Sequence, residues 1–520
     1  MTTSDLAILS PMQRWLSRAP DTPVFRIGDA AVSRGELLAA SRAAAQHLHA
    51  LGFRRGDVIC LLLPDSAVWL QFLFAASQLG VLVVPISTRY RDLEIEHVLE
   101  TSRAKAVVFI RQFLKADFQH IIETLAPTLP DLEHLVGLDD TTDFFGGSWQ
   151  DAGLPLPAPD PAALLCTFST SGTTGKPKLA PHSQAGIVKH AEDVASALDI
   201  GETTVTLSAL PLYGVLGFVC TMATIAGGGC CVSQPVFKAE SAAQIIDDLG
   251  VTHFYGSDGL LDAVLRVPGH AFRQLRRGGF AEFAGLGRRL IDFAEERFGL
   301  RLCGVYGSSE CFALMALRDA ALSAERRAMP GGSPTSADIL FRIVDTATGE
   351  IQPDLSPGEL QIRGPNVMAG YLNNPSATAE AVTSDGWFRT GDLAYGDGSG
   401  FVFLARMKDG LRLRGYLVDP TEIENFLTTH ASVSAAQVVG IHREGRGDVA
   451  VAFVRPHDGE TGLEQELISY CTNGISNYKV PSRIVFVDQF PEIAGPNGVK
   501  IQKNKLRELA ETLIEKGTTL

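Results

Sequence analysis

The sequence has too little positive charge for a protein that binds nucleic acid. Its 520 residues contain 45 Lys and Arg against 59 Asp and Glu, and the formal net charge at pH 7 is −14. A nucleic-acid partner requires a basic surface, because binding neutralises phosphates with Lys and Arg side chains. We therefore expect no nucleic-acid partner. Any phosphate-binding site must be a locally positive region on a protein whose net charge is negative.

Metal-binding cysteine motifs and membrane-spanning runs are also missing. The eight cysteines include no Cys-x-x-Cys pair and no Cys/His ligand spacing, so we expect reduced thiols in the cytoplasm. The apolar run closest to a membrane span, residues 215–232, is interrupted by Gly217 and Gly227–Gly229. Residues 1–20 show no basic start followed by an apolar core, so we expect neither a membrane span nor a secretory signal peptide.

Short apolar runs alternate with helical patterns over the first two thirds of the chain. Val58–Leu63 is a continuous apolar run typical of a buried strand, and Ala104–Ile110 is predicted to be another strand, whereas Ala67–Leu79 is predicted to be a helix. Ser33–Glu36 matches a capping box and predicts the start of another helix. Strands that alternate with helices predict the α/β fold class, with a parallel sheet covered on both faces.

The pattern changes near residue 335 and again near residue 409. Beyond residue 335, short strand patterns such as Gly358–Arg363 are separated by Gly and Pro turns, which predicts a small β-rich subdomain. Beyond residue 409, Asp419, Pro420 and Glu422 form a helix-start pattern, and the strand and helix patterns that follow predict a compact α+β domain.

These changes predict the domain organisation. We expect a large N-terminal core over residues 1–408, made of parallel α/β subdomains and the β-rich subdomain. A small, mobile α+β C-terminal domain is expected over residues 409–520. The charged segment Ala405–Asp409 between the two fits either a plain linker or a hinge, since a few residues can absorb a domain rotation.

One stretch of the chain has the composition of a phosphate-binding loop. Ser169–Lys178 follows an apolar run and contains five hydroxyl side chains, two glycines and two lysines. Glycine N–H groups and hydroxyls can donate to phosphate oxygens, and lysines add positive charge. The stretch is not a Walker A loop, because two residues rather than four separate its glycines and Pro177 follows Lys176. Taken alone, it also fits a solvated loop.

Further segments carry residue types suited to a nucleotide. Tyr306–Glu310 follows an apolar run, and an aromatic ring at a strand end can stack on a base while a carboxylate holds Mg²⁺. Asp392 offers two acceptor oxygens to the hydroxyls of a ribose. Lys500 lies near the exit of the turn-rich segment 495–503, which we expect to be a loop. Each alone has a structural alternative: a strand-end turn, a β-turn or a solvated lysine.

In this order, the segments resemble the adenylate-forming superfamily of acyl- and aryl-CoA synthetases, nonribosomal peptide adenylation domains and firefly luciferase. The resemblance extends over nearly the whole chain. It rests on Pro85–His97 with Ser102–Val108, Ser169–Lys178, Tyr306–Glu310, Gly358–Tyr371, Arg389–Asp392, Arg406–Asp409, Arg414–Tyr416 and Glu422–Glu424.

The resemblance implies a reaction in two steps. A small carboxylic acid attacks the α-phosphate of ATP, giving an acyl-adenylate and pyrophosphate, and the thiol of CoA then takes the acyl group. Because a carboxylate is already ionised near pH 7, the site must neutralise and align anions rather than supply a general base. The implied cofactors are ATP, Mg²⁺ and CoA.

The resemblance also implies a role for each matching residue. Lys500 would bridge the carboxylate and the α-phosphate, Glu310 would serve Mg²⁺, and Thr170 would donate its hydroxyl. Asp409 would be the hinge for rotation of the C-terminal domain. The thiol would reach the site past Arg414 and Gly415. The residues implied in nucleotide binding are Ser169, Ser171, Gly172, Thr173, Thr174, Gly175, Lys178, Tyr306, Gly307, Ser308, Ser309, Asp392 and Arg406, with Tyr306 on adenine and Asp392 on ribose.

The sequence departs from the family pattern at the catalytic lysine and at the acyl pocket. Val499 intervenes between Gly498 and Lys500, so Lys503 is the alternative lysine. Gly214 stands where an aromatic–His pair or the Asp of amino-acid-activating domains is common, so an α-amino acid substrate is not expected. Phe283 is expected to form one wall of an apolar pocket. Glu282 and Asp258 are each expected either to contact a polar substituent of the substrate or to face solvent. The candidate pocket residues are Tyr213, Gly214, Gly217, Asp258, Glu282 and Phe283.

Two alternatives to an acid–CoA ligase stay open at this point. The same adenylate can pass to a carrier protein in trans or to another nucleophile, since no carrier-domain serine motif follows in this chain. A nucleotide-binding protein without catalysis is the alternative of another class, and the joint presence of Lys500, Glu310 and Asp392 argues against it. Neither the acid, whether aromatic, alicyclic or medium-chain, nor the oligomeric state is predicted.

Overall fold

The computed structural model divides the chain into two compact units. The first comprises Met1–Glu282, Leu286–Leu340 and Ile362–Phe388, and the second comprises Phe283–Gly285, Phe341–Gln361 and Arg389–Leu520. The predicted boundary between residues 408 and 409 lies inside the second unit and stays a prediction. The residues described are 9–141, 155–170, 177–283, 285–407, 411–413, 416–418, 420–443, 447–457, 464–475, 479–495 and 498–515.

The secondary structure follows the predicted alternation closely in the first unit. The strands up to residue 334 are β1 Pro23–Ile27, β2 Ala30–Ser33, β3 Val58–Leu62, β4 Leu82–Pro85, β5 Ala106–Ile110, β6 Gln112–Phe113, β7 Ala116–Asp117, β8 His134–Leu138, β9 Leu164–Ser169, β10 Leu179–Ser183, β11 Val205–Ser208, β12 Cys230–Ser233, β13 His253–Ser257, β14 Arg277–Ala281, β15 Cys303–Ser308, β16 Phe312–Leu317 and β17 Gly331–Pro334. The later strands are β18 Leu340–Val344, β19 Gly358–Arg363, β20 Phe388–Gly396, β21 Phe401–Arg406, β22 Leu411–Leu413, β23 Tyr416–Val418, β24 Val433–Arg443, β25 Gly447–Pro456, β26 Arg483–Phe486, β27 Glu492–Gly495 and β28 Gly498–Ile501. The helices are α1 Pro11–Leu16, α2 Arg34–Ala50, α3 Ala67–Leu79, α4 Asp92–Ser102, α5 Phe118–Leu125 (then a 3₁₀ turn, Ala126–Thr128), α6 Gln184–Ala197, α7 Val215–Gly227, α8 Ala239–Asp248, α9 Asp258–Leu265, α10 Gly287–Phe298, α11 Ala324–Ala328, α12 Pro375–Ala381, α13 Pro420–Leu427, α14 Glu464–Gly474 and α15 Lys503–Glu515.

One sheet of the first unit has the strand order β10-β9-β4-β3-β5-β8. Its pairs are parallel except β9 with β10, which run antiparallel. Every residue of β3, β4 and β5 is buried, and so is every residue of α3. Burial on both faces is the reason why these strands read as unbroken apolar runs. The predicted parallel α/β architecture is confirmed.

The other sheet of the first unit has the order β17-β16-β15-β14-β13-β11-β12-β1-β2. Its centre, from β1 to β15, is parallel, whereas β2, β16 and β17 are antiparallel additions at its ends. The Tyr306–Glu310 segment spans the end of β15 and the turn into β16. The return strand β16 was not predicted, although Phe312–Leu317 is an apolar run.

The second unit contains the predicted β-rich and α+β regions. Its first part includes the antiparallel pair β20 and β21, and its last part has a sheet of β22 to β26 with α13, α14 and α15. Val438, Ala452 and Leu467 are buried in the core of this last part. The expectation of a loop over residues 495–503 is wrong in part. β27 and β28 form a hairpin in which Lys500 pairs with Ile493, and α15 begins at Lys503.

The helix start predicted at Ser33–Glu36 is confirmed. Ser33 accepts from Glu36 N in a complete capping box at the start of α2, and Ser183 caps α6. Within the described residues, no helix has the length and apolarity that a membrane crossing requires. All eight cysteines belong to the described part of the chain, and none of them forms a disulfide.

Candidate active site

The ends of the predicted phosphate loop are joined by hydrogen bonds. Thr170 N–H donates to Lys178 O over 2.8 Å, and Lys178 N–H donates to Thr170 Oγ1 over 3.3 Å. The loop therefore closes the antiparallel pair β9–β10 and does not lead from a strand into a helix. A hydroxyl can accept and donate together, so this contact is compatible with the donor role predicted for Thr170. Outside the described residues lie Ser171, Gly172, Thr173, Thr174 and Gly175.

The Tyr306–Glu310 segment contacts the same loop from the other sheet. The Ser309 hydroxyl donates to Ser169 O over 3.1 Å, which joins residues far apart in the sequence. Gly307 is required at its position, because a Cβ there would lie only 2.2 Å from Phe312 O. Two segments that the sequence assigned to one nucleotide site are thus in contact.

Two buried histidines hold this segment and the strand β16 that follows it. His182 Nε2–H donates to Ser309 O, and His190 Nε2–H donates to Ala313 O, both over 2.8 Å. The ring of Phe312 stacks on both, with centroid distances of 3.9 Å to His182 and 4.9 Å to His190. Burial lowers the pKa of each imidazole to about 4, so both rings are neutral donors near pH 7. No motif in the sequence points to these two residues, because an isolated histidine carries no pattern.

Glu310 is held by a segment that lies beyond β19. Tyr371 O–H donates to Glu310 Oε1 over 2.9 Å, and Met368 N–H donates to Glu310 O over 2.7 Å. The ring of Tyr371 also lies under Lys178, whose Nζ is 4.2 Å from the ring centroid. The structure therefore connects the predicted phosphate lysine and the predicted metal carboxylate through Tyr371.

The donor set fits a magnesium ion that arrives with ATP. In the part of the chain that the structure describes, no group of three or more His, Cys, Asp and Glu side chains could hold a metal ion. Mg²⁺ in nucleotide sites is commonly held by one or two carboxylates together with substrate phosphates and water. A single carboxylate at Glu310, beside the phosphate loop, matches that arrangement.

In the second unit, the predicted ribose aspartate and its predicted neighbour are paired. Asp392 on β20 is opposite Arg406 on β21, and Arg406 Nη1 lies 2.9 Å from Asp392 Oδ1. Arg406 Nη1 also donates to Thr390 O over 3.0 Å, and Thr390 Oγ1 accepts from Asp392 N–H over 3.0 Å. Asp392 is only 2% exposed. These contacts fix the orientation of a buried carboxylate.

The candidate acyl-pocket residues have clear local roles. Tyr213 is buried and Gly214 is the N-cap of α7. A Cβ on Gly217 would lie 2.2 Å from Leu210 O, so packing alone requires this glycine.

The two candidate pocket acids, Asp258 and Glu282, accept hydrogen bonds from the backbone at the start of α10. Asp258 is fully buried, so it does not face solvent, and it accepts from Gly259 N–H over 2.9 Å and Leu286 N–H over 3.0 Å. Glu282 accepts from Gly287 N–H over 3.1 Å. The pocket roles of these acids and of Phe283 stay predictions.

Asp65, which belongs to no motif in the sequence, fixes the segment next to Tyr213. Its Oδ1 accepts from Leu212 N–H and its Oδ2 accepts from the Ser233 hydroxyl, both over 2.7 Å. Asp65 follows β3, so one buried carboxylate ties the end of a strand in one sheet to two segments of the other. Burial raises the pKa of Asp65 from 3.8 to about 6, against the effect of both hydrogen bonds.

We expect Asp65→Asn to remove a pH dependence of stability. The folded pKa exceeds the unfolded one, so stabilisation is complete below pH 4 and is lost as pH rises through about 6. Between pH 4 and pH 7.5, wild type should lose about 2.5 kcal/mol relative to the variant. Thermal unfolding across this range measures the difference, with the exposed Asp248→Asn as control. Parallel profiles for wild type and the Asp65 variant would contradict the assignment.

The two candidate catalytic lysines, Lys500 and Lys503, occupy different places in the C-terminal region. Lys503 Nζ lies 2.7 Å from Oε1 of Glu424, and the same oxygen accepts from Val438 N–H over 2.8 Å. Glu424 is buried, so Lys503 neutralises a carboxylate inside the C-terminal region. Lys500 occupies β28, one residue before its end. The predicted hinge Asp409 and the predicted thiol-access residues, Arg414 and Gly415, lie outside the described residues.

Comparison with known proteins gives matches over most of the chain, in the N-terminal and in the C-terminal part. A family model described as AMP-binding enzyme matches residues 12–372, and one for the AMP-binding enzyme C-terminal domain matches residues 422–494. A relative from Bos taurus, "Medium-chain acyl-CoA ligase ACSF2, mitochondrial", is 30% identical over 504 residues, which cover 90% of this chain and 81% of the relative. A "Feruloyl-CoA synthase" from Amycolatopsis sp is 30% identical over 500 residues, 94% of this chain and 96% of the relative.

Solved structures of similar fold cover nearly the whole chain. ATP-bound MatB from Rhodopseudomonas palustris has a TM-score of 0.86 at 23% identity, covering 97% of this chain and 99% of that one. The anthranilate CoA ligase AuaEII in complex with anthranoyl-AMP has a TM-score of 0.85 at 24% identity, covering 99% of this chain and 100% of that one. At these identities the likeness concerns the fold.

Proposed function

Because the chain belongs to the AMP-binding enzyme family, we propose that it is an AMP-forming acid–CoA ligase. It activates a carboxylic acid with ATP to an acyl-adenylate, releases pyrophosphate, and transfers the acyl group to CoA. The observation that carries this function is the hydrogen bond from Ser309 to Ser169, which joins the phosphate loop to the Tyr306–Glu310 segment. Relatives named as CoA ligases, matched over most of their length, support the choice of CoA.

The first half-reaction requires neutralisation of negative charge. Thr170 and the loop donate hydrogen bonds to the β- and γ-phosphates, and Lys178 adds a positive charge beside them. When bound, Mg²⁺ supplies further neutralisation of the phosphate oxygens, and Glu310 would hold it. Asp392 receives the ribose hydroxyls, and Tyr306 stacks on adenine.

Lys500 is the residue that we place between the two reacting anions. Its ammonium would neutralise the attacking carboxylate and the α-phosphate together, which lowers the repulsion that opposes their approach. The ion pair of Lys503 with Glu424 supports this choice, since it gives the alternative lysine a structural task.

The second half-reaction requires the C-terminal domain to present a different face. We place the hinge at Asp409, where rotation would withdraw Lys500 and bring Arg414 and Gly415 to the path of the thiol. CoA then attacks the acyl carbon, the thioester forms and AMP leaves.

An apolar or aromatic acid is the substrate class that we propose. Gly214 adds no side chain to the pocket segment and carries no carboxylate for an α-amino group. The names of the two relatives, medium-chain acyl-CoA ligase and feruloyl-CoA synthase, support the same class. A cytoplasmic location is part of the proposal, supported by eight cysteines without a disulfide.

The purified chain should catalyse ATP–pyrophosphate exchange with at least one acid from a panel of medium-chain, alicyclic, benzoic and cinnamic acids. Adding CoA should convert that acid to its thioester and release AMP, which chromatography and mass spectrometry would measure. An α-amino acid should give no exchange, because nothing at Gly214 neutralises its ammonium. Exchange without a CoA thioester would favour a carrier protein or another acceptor, and no exchange with any acid would favour the nucleotide-binding alternative.

A further inference from the structure

Tyr371 contacts two residues of the nucleotide site that have opposite charges. Its hydroxyl donates to Glu310 Oε1 over 2.9 Å, and Lys178 Nζ lies 4.2 Å from the centroid of its ring. The side chain is 9% exposed and packs with Ala180 and Met368. One buried side chain therefore contacts both the lysine at the end of the phosphate loop and the carboxylate that we assign to Mg²⁺.

The backbone around Tyr371 is fixed to both partners. Ala369 and Leu372 each donate an N–H to a carbonyl of β10, over 3.0 Å and 2.9 Å, and β10 begins directly after Lys178. Met368 N–H donates to Glu310 O over 2.7 Å. The position of the ring is thus set by the strand that follows the lysine and by the main chain of the glutamate.

A lysine and a glutamate at one site attract each other. If they formed a direct ion pair, ATP and Mg²⁺ would have to break it before the lysine reached a phosphate and the carboxylate reached the metal. Tyr371 offers each charge a neutral partner instead: the negative face of a ring for the ammonium and an O–H donor for the carboxylate. Both contacts are weaker than the interactions that the nucleotide and its metal bring.

We propose that Tyr371 is a positioning residue that holds Lys178 and Glu310 apart and oriented for Mg²⁺–ATP. The proposal rests on the function above, in which Glu310 serves the metal. Tyr371 does not touch the reacting atoms and acts through its two neighbours. Its hydroxyl serves the carboxylate and its ring serves the lysine, so the two contributions can be separated by substitution.

Tyr371→Phe should raise the dissociation constant of ATP about tenfold when Mg²⁺ is present and leave it unchanged when Mg²⁺ is removed by chelation. The ring and its contact with Lys178 stay in this variant, and only the hydroxyl is lost. Tyr371→Leu should weaken ATP binding in both conditions, because the ring is lost as well. Titration calorimetry on the full chain, without acid or CoA, measures these constants independently of turnover.

A double-mutant cycle tests whether the hydroxyl acts through the carboxylate. Glu310→Gln should weaken Mg²⁺-dependent binding, and Tyr371→Phe should add little to that loss because the two share one interaction. The matched control is Tyr470→Phe, which removes a hydroxyl that lies 2.8 Å from Thr429 Oγ1 in the second unit. This control should bind ATP as wild type does.

The outcomes distinguish this proposal from the function on which it rests. If Tyr371→Phe binds Mg²⁺–ATP with wild-type affinity while Glu310→Gln does not, the positioning role is wrong and the ligase function stands. Additive losses in the cycle would also overturn the role. If the wild-type chain binds no ATP in either condition, the proposed function fails and the positioning role with it.

Discussion

Lys500→Ala should reduce the rate of acyl-adenylate formation by about 10²–10³-fold, because the charge that neutralises the two reacting anions is lost. Thioester formation from supplied acyl-adenylate and CoA should change little, since that step does not bring the carboxylate to the α-phosphate. ATP–pyrophosphate exchange measures the first step, and thioester release from synthetic adenylate measures the second. A KM for ATP close to wild type is expected, because the lysine acts in the transition state.

Two other lysines serve as comparisons for Lys500. Lys505 is exposed on α15, so Lys505→Ala should leave both steps unchanged. Lys503→Ala leaves the buried Glu424 without its cation and should lower the Tm while sparing adenylation in the protein that stays folded. If exchange survives Lys500→Ala and is lost in Lys503→Ala, the catalytic role belongs to Lys503.

Asp392→Ala should weaken ATP binding by about 10²–10⁴-fold. A carboxylate that accepts two ribose hydroxyls makes two hydrogen bonds to a charged group, each contributing about 1.5–3 kcal/mol. The fold should tolerate the change, because the partner Arg406 is half-exposed and can be solvated. Equilibrium binding of ATP to the full chain measures the loss, and the exposed Asp488→Ala is the control.

Removing one ribose hydroxyl from the ligand makes this test specific. Wild type should bind 2′-deoxy-ATP more weakly than ATP, and Asp392→Ala should bind the two nearly equally, because the acceptor of that hydroxyl is gone. Undiminished discrimination in the variant would place the ribose elsewhere.

Local patterns in the sequence were sufficient to predict the parallel core of the fold. β3, expected at Val58–Leu63, spans Val58–Leu62, and the helix expected at Ala67–Leu79 has those bounds. Burial on both faces makes such strands continuously apolar, so their signal is strong. Strand β28 was predicted to be part of a loop, because it is only four residues long and begins at the end of the turn-forming stretch Gly495-Pro496-Asn497-Gly498.

The site was predicted in its motifs but not in its supporting contacts. Ser309 and Ser169 were both named, yet only the structure shows the hydrogen bond between them. Asp65 and Tyr371 act on residues 147 and 61 positions away, and contacts at such separations leave no local pattern in a single sequence. In the sequence, Tyr371 is marked only as the last residue of the matching segment Gly358–Tyr371.

The state of the cysteines has a consequence for the fate of the activated acyl group. An acyl-adenylate is an electrophile, and a thiolate of the protein itself would compete for it with CoA. Burial raises the pKa of Cys60 and Cys220 to about 12, and it raises the pKa of the partly exposed Cys230 as well. These three thiols therefore favour the protonated form near neutral pH, which makes each of them a weak nucleophile toward an acyl-adenylate.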